Sequence, residues 1–331
     1  MTTTIPSEMW RVIKPEGFGN IELEKAPVPT PGPHEVLVRN KRTLISRGSE
    51  IGGRYRKSDA VDAAIVGYSA AGDVVAVGPG VDEAWIGRAV SVVAPHAEYV
   101  IGDLDAIAGR AVTPMLAGVS YEHAAFHPLA LGGTIWTAIS KIQPGERIVV
   151  LGQGLVGVLV MQAAKRYAPG LTIAVDALDS RVERATTLGA DIAVNARAEN
   201  PVERVKELTG GGADLVLECV GGPAGVKSFP QAVEMTRTLG RIHLISLYHE
   251  QPLPLDSGKI QGKMIIGGYF VDLPTVWRDA ATETMRRLSA NELQIDPLIS
   301  HRFPFSQAKD AFDLLHDRLG EAMGVIFVWD E

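Results

Sequence analysis

The stretch VVLGQGLVGVLVMQAAKRY, residues 149–167, sets three glycines in the order G-x-G-x-x-G between an apolar run and a segment of helical character. Gly152 permits a tight turn, Gly154 lets the backbone approach a pyrophosphate, and Gly157 allows a helix to pack closely on the preceding strand, with the helix N-terminus attracting the anion. Such a pattern on its own is common. Here the context supports it: the next apolar run, TIAVD, ends in Asp176, about twenty residues beyond the last glycine. An aspartate there accepts hydrogen bonds from both adenosine ribose hydroxyls and repels a 2'-phosphate, which points to NAD over NADP. The bland alternative makes Asp176 a cap of the following turn. Arg181 has two equal readings, a group lying over the adenine or bonded to a ribose oxygen, and the first turn of an exposed helix. If it neutralised a 2'-phosphate, NADP would fit instead.

Downstream of the glycines, strand and helix patterns alternate: TIAVD, RVERATTLGA, IAVN, PVERVKELTG, DLVLECVG, VKSFPQAVEMTRTL and RIHLIS. This alternation implies a parallel, doubly wound sheet with helices on both faces. Upstream the texture differs. EVLVRNKRTLIS, AAGDVVAVGPG, GRAVSVVAP and HAEYVIG are short strands split by Pro and Gly, so the first hundred or so residues read as β-rich. Between the two regions, SYEHAAFHPLALGGTIWTAISKIQ has helical spacing, with Pro128 a candidate break. After KMIIGGYF come the helical TVWRDAATETMRRLSA, then PLISHRFPFSQAKDAFDLLHDR and a last strand, MGVIFVW, expected to return to the first region.

A chain of 331 residues is long enough for two domains. With 46% hydrophobic and 21% charged residues it sits in the globular range, away from disorder and from membrane proteins. The net charge of -7 carries no basic stripe, which argues against nucleic acid as a partner. Cys219, the single cysteine, rules out an intrachain disulfide framework and any zinc site needing two thiolates from one chain. The opening MTTTIPSEMWRVIKPEG lacks a secretory pattern and no run reaches membrane-spanning length, so a cytoplasmic protein is expected.

The combination of VLVRNKRTLISRGSE, VGYSAAGDVVAVGPGV, HAEYV, ISKIQPGERIVVLGQGLVG, RVERATTLGAD and GEAMGVIFVW resembles the medium-chain dehydrogenase/reductase family over nearly the whole chain. The resemblance implies a GroES-like catalytic domain, residues 1–124 with 269–331, and a Rossmann domain, residues 125–268. It also extends the cofactor-contacting set beyond Gly152, Gly154, Gly157, Asp176 and Arg181 to Leu155, Val156, Cys219, Val220, Ser246, Leu247 and Ile266. By composition alone, Cys219 at the end of an apolar strand is a packed, inert thiol.

Zinc-dependent members of that family carry a cysteine before a Gly-Ser/Thr-Asp run, a Gly-His-Glu triplet and a later acidic or thiol ligand. At the matching positions this chain has Arg47 before GSE, then Tyr68 and Ser69, with His127 near the third place. One histidine does not hold a catalytic zinc, which takes three protein ligands. The loop that binds a structural zinc in many relatives is missing between SVVAP and HAEYV. The resemblance is therefore to a metal-free branch that includes bacteriochlorophyllide dehydrogenase-like and sugar-pathway oxidoreductases, and it implies no metal.

Without a metal, the oxygen that gains or loses charge during hydride transfer needs a protein donor, worth roughly 3 to 4 kcal/mol. Tyr68 is the candidate donor, Arg47 its electrostatic partner, His127 a proton relay and Ser49 a further hydroxyl in the same pocket; His123, four residues earlier, is a substitute for His127. Each has a structural reading of comparable weight: a space-filling aromatic, an ion pair with Glu50, a satisfied helical histidine. The basic run GGRYRK, residues 52–57, reads mainly as solvated surface, with a substrate carboxylate or phosphate as the lesser alternative. Trp85, Phe126, Trp136, Tyr269 and Trp277 are an apolar wall or simply core. The leading expectation is an NAD-dependent secondary-alcohol dehydrogenase acting on a polyfunctional small molecule. The alternatives are a quinone or enoyl reductase and a non-catalytic dinucleotide-binding protein. A homodimer through KMIIGGYF follows from the resemblance.

Overall fold

The computed structural model describes residues 4–247, 251–267 and 274–330. It divides into two compact units, residues 1–131 with 271–331, and residues 132–270.

The second unit is built on one parallel sheet. Its strands lie in the spatial order Ile192–Asn195, Leu171–Asp176, Arg147–Leu151, Ala213–Glu218, Thr236–Leu244, Met264–Gly267, and every neighbouring pair is parallel. The strands are near-continuous apolar runs because both faces are covered: Ile148, Val149 and Val150 are fully buried, as are Leu215, Val216 and Leu217. Helix Pro201–Thr209 shows how local sequence sets element ends. Asn200 caps it by accepting from the Val202 N–H, proline occupies its first turn, and Gly210 closes it in a left-handed conformation.

One sequence expectation is corrected here. VKSFPQAVEMTRTL reads as a single helix, yet the helix Gly225–Met235 stops and strand Thr236–Leu244 begins at the next residue. β-Branched Thr236 takes extended angles and its hydroxyl donates to the Ala232 carbonyl, closing the last helical turn. The strand then slips register beside Ala213 and Leu215, with Leu239 at positive φ.

The first unit is β-rich. Strand Glu35–Ile45 is its hub, pairing antiparallel with Ala70–Val77, Tyr99–Asp103 and Gly324–Val328, so the C-terminal strand closes onto the N-terminal region. The parallel pair Ile299–Pro304 and Gly324–Val328 extends the same sheet. Helix Tyr121–Ile139 passes through Pro128 without ending. Ala124, Ala125 and Phe126 are fully buried just before the proline, and packing of this stretch outweighs the missing N–H.

Candidate active site

In the first unit the site starts from Gly67. Its φ is +97°, and a Cβ there would lie 2.6 Å from the His96 backbone nitrogen, so only glycine makes this turn. The turn delivers Tyr68 half-buried and Ser69 fully buried. Ser69 Oγ donates to the Ala125 carbonyl at 2.8 Å. The Tyr68 phenol donates to Ser46 Oγ at 2.6 Å.

Ser46 stands at the head of a π-helical turn, Arg47–Tyr55, which contains an i to i+5 bond from the Arg56 N–H to the Ile51 carbonyl. Wide turns of this kind recur at functional sites. A buried polar chain anchors it. The Ser46 N–H donates to Glu50 Oε1 at 2.8 Å, Glu50 Oε2 meets His96 Nε2 at 2.9 Å, and His96 Nδ1 meets Thr43 Oγ1 at 2.8 Å. Trp329 Nε1 donates to the same threonine oxygen at 3.0 Å. Thr43, Glu50 and His96 are all fully buried. A satisfied network of this kind rigidifies what it holds, which here is the hydroxyl pair Tyr68–Ser46.

The cation placed beside the phenol is Arg54, whose guanidinium carbon is 6.0 Å from the Tyr68 ring centroid. Arg47 belongs to the same turn, with its Nε donating to the Leu315 carbonyl at 3.1 Å, and Glu50, its candidate ion-pair partner, is taken by His96 and the Ser46 N–H. Ser49 lies in the turn, partly buried. The reading of GGRYRK as surface is therefore corrected for Arg54, which is partly buried, and kept for exposed Arg56 and Lys57.

His127 is held by other groups. Nε2 meets the Ala281 carbonyl at 2.9 Å, so it carries the proton, and Nδ1 then accepts from Ser91 Oγ at 3.3 Å. Burial lowers its pKa to about 4, with the Ala281 bond opposing. At neutral pH it is an uncharged ring with both nitrogens occupied. His123 Nε2 meets Asp296 Oδ1 at 2.8 Å near the surface. Phe126 and Trp277 are core residues, and Tyr269 lies outside the described residues.

Among the described residues no three His, Cys, Asp or Glu side chains converge as a metal set. The groups at the matching positions do not fit zinc: Arg47 has the wrong charge, and the oxygens of Tyr68 and Ser69 are engaged as hydrogen-bond donors.

In the second unit the glycine loop follows strand Arg147–Leu151 at the point where the strand order reverses, between Arg147–Leu151 and Ala213–Glu218. A Cβ on Gly152, whose φ is +93°, would meet Val220 at 2.7 Å, and one on Gly157 would lie 1.8 Å from the Gly152 carbonyl oxygen. Gly154 precedes helix Leu155–Ala164 without a capping side chain, leaving the first-turn N–H groups of Leu155, Val156 and Gly157 for an anion. Asp176 Oδ2 accepts from the Gln153 N–H at 2.7 Å and Oδ1 from the Leu178 N–H at 3.0 Å, so the carboxylate also braces the loop. Arg181 Nη1 sits 3.6 Å from Asp176 Oδ2, which places it at the carboxylate and not in solvent.

Cys219 and Val220 follow strand Ala213–Glu218 on the other side of the reversal. Burial, with help from the Glu218 charge, pushes the Cys219 thiol well above its ordinary range, so it is inert. Fully buried Glu218 accepts from Ser228 Oγ at 2.7 Å and from the Val220 N–H at 3.0 Å, and it also accepts from Ser246 Oγ. Leu247 is exposed and Ile266 half-buried in the outer strand. This cradle, which a Cβ would fill, fits a dinucleotide.

Ser46, His96 and Glu218 are not singled out by the sequence, Glu50 enters only as an ion-pair partner for Arg47, and Arg54 only within the basic run GGRYRK as the lesser reading. Their partners are distant along the chain, 46 residues for Glu50–His96 and 53 for Thr43–His96, and no local pattern reports such pairs.

Residues 156–287 match the family model of zinc-binding dehydrogenases. An L-threonine 3-dehydrogenase of Bacillus licheniformis is 26% identical, the match covering 97% of this chain and 99% of that protein. A sorbitol dehydrogenase of Bacillus subtilis is 27% identical over 95% of each. A solved alcohol dehydrogenase from E. coli CFT073, complexed with NADH, superposes with a TM-score of 0.83 at 20% identity over 98% of this chain and 100% of that one. With a parallel sheet in the 3-2-1-4-5-6 order, a β-rich unit closed by its own C-terminal strand, and full-length similarity of this kind, the chain is similar throughout to the oxidoreductases of the medium-chain dehydrogenase/reductase family.

Proposed function

We propose that this protein is an NAD-linked, zinc-independent dehydrogenase that interconverts a secondary alcohol and a ketone on a polyfunctional small molecule. The observation that carries the reading is the Tyr68–Ser46 hydroxyl pair, anchored by buried Glu50 and His96 and overlain by Arg54.

Gly152, Gly154, Gly157 and Asp176 would hold NAD, with Leu155, Val156, Val220, Ser246, Leu247 and Ile266 around it. When bound, NAD supplies the hydride acceptor, and NADH the donor. In the reductive direction the Tyr68 phenol turns its O–H from Ser46 to the substrate oxygen and gives up its proton there, and Ser46, one donor and two acceptors on a single oxygen, relays to the phenolate a proton taken up from solvent. Arg54 offsets the phenolate charge during that interval. Arg47 and Ser49 line the same turn. His127 takes no part in this path, since using it would break both of its bonds. The protein is proposed to act in the cytoplasm as a homodimer.

A second reading is a quinone or enoyl reductase using NADPH. Arg181 beside Asp176 favours it, because the guanidinium offsets part of the carboxylate's repulsion of a 2'-phosphate. A third, a non-catalytic dinucleotide-binding protein, lacks a use for a phenol–hydroxyl pair so firmly braced.

A 340 nm survey of secondary alcohols, polyols and conjugated enones with each cofactor, repeated after a strong chelator, separates the three. Expected are NAD-dependent alcohol turnover that survives the chelator and a Tyr68→Phe variant that is folded but roughly 100- to 1,000-fold slower in kcat/KM. Turnover abolished by the chelator, or unchanged in Tyr68→Phe, defeats the mechanism.

A further inference from the structure

Arg54 is a cation whose counter-ion is missing. It is partly buried, its Nη1 is out of reach of solvent with no hydrogen-bond partner, and no carboxylate lies within ion-pair distance among the described residues. Among the described residues its guanidinium faces the Tyr68 ring at 6.0 Å, the outer limit of a cation–π contact. Glu50, the acid of the same turn, is committed to His96 and the Ser46 N–H. The two residues after Tyr55, Arg56 and Lys57, are exposed and add to the positive potential at the mouth of this corner. Partly burying an arginine without a counter-charge carries a cost, and an incoming anion removes it.

We propose that Arg54 is the receptor for an anionic oxygen group of the substrate, a carboxylate or phosphate, held a few bonds from the oxygen that Tyr68 serves. The planar guanidinium matches either group through paired N–H donors. The inference rests on the dehydrogenase reading for the role of Tyr68 and narrows its substrates to hydroxy acids and alcohol phosphates, for which a neutral alcohol is a poor substitute.

A matched series tests it: D-sorbitol, D-gluconate and sorbitol 6-phosphate share one carbon chain and differ at the end group. Each, with inorganic phosphate as a bare probe, is measured by calorimetric binding in the presence of NADH and by turnover at 340 nm, on the full chain and on Arg54→Gln and Arg54→Lys. One or both anionic polyols should be favoured over sorbitol about 10- to 100-fold, as charged hydrogen bonds of about 1.5–3 kcal/mol imply. Arg54→Gln should slow all three polyols alike through Tyr68 and, beyond that shared loss, erase the preference for the anionic ones over sorbitol in both binding and turnover, and Arg54→Lys should keep part of it. The gluconate and phosphate arms identify which anion is meant.

A parallel loss of all three polyols in Arg54→Gln that leaves the preference intact would make Arg54 only a support for Tyr68 and overturn the receptor role. So would a preference that persists in Arg54→Gln without such a loss, or no Arg54-dependent binding of any probe. Turnover of neutral alcohols without anion preference leaves the dehydrogenase standing and the receptor fallen. Arg54-dependent binding without turnover of any alcohol has the reverse meaning.

Discussion

His127 shows how burial decides what a titratable side chain does. Its ring is fully buried and its pKa lies at about 4 against an ordinary 6.5. Because the folded value is depressed, the unfolded chain binds the extra proton first, and the stabilisation from a neutral His127 is present above pH 6.5 and lost as pH falls toward 4. The shift corresponds to about 3 kcal/mol. Urea midpoints recorded from pH 7 to pH 4 should fall by this contribution ahead of the main acid transition, and a His127→Phe variant should show a shallower fall over that window. Equal slopes would show that the imidazole takes up its proton alike in the native and unfolded chains. The sequence does name this histidine, but a helix pattern reports only which face it is on. The groups that fix its tautomer, Ser91 and Ala281, come from elements far away in the chain. Tyr68 was named for the opposite reason: its place after Gly67 is local, and only Ser46, 22 residues away, remained to be found.

At the scale of elements, the glycine loop is the segment whose geometry was most legible, because its constraints are steric and local. The Gly157 position faces the Gly152 carbonyl so closely that a methyl group there would be 1.8 Å from the oxygen. Gly157→Ala should therefore push helix Leu155–Ala164 off its strand, destabilise the protein by about 1–3 kcal/mol and weaken NADH binding together with it. A variant that melts and binds like the parent would mean that the loop relaxes freely. Gly154→Ala is the useful contrast, since its Cβ position meets only Arg181 Nη1, at 3.8 Å. Where burial outvotes local preference, the reading from sequence failed. Pro128 sits inside a helix because its neighbours are core, and TRTL extends a helical pattern yet forms strand because Thr236 pairs beside Ala213. The π-helical turn was also hidden, since the sequence RGSEIGGRY, with two adjacent glycines, has no regular period and its shape depends on Glu50 reaching His96.

At the scale of the whole molecule, the parallel sheet ends, among the described residues, in a strand that pairs on one side only. Met264–Gly267 bonds to Thr236–Leu244, and among the described residues the path of strands stops there. Met264 and Ile265 are 53% and 39% exposed, and Leu239 on the neighbouring strand is 71% exposed. An apolar, unpaired edge is a site of strand addition unless it is blunted by charge or covered, and neither Met264 nor Ile265 supplies a charge. Joining two copies edge to edge through a twofold axis would satisfy both sets of backbone groups at once. The expected species in solution is therefore a dimer, and Ile265→Lys should convert it to monomer by placing like charges across the axis. Light scattering coupled to size exclusion reads the result directly. A monomeric parent at micromolar concentration, or a dimer indifferent to Ile265→Lys and to Met264→Lys, would mean that another surface joins the subunits. Both substituted residues lie on the outermost strand, three places from the strand that leads into the glycine loop, so NADH binding by the monomer would further separate assembly from cofactor capture.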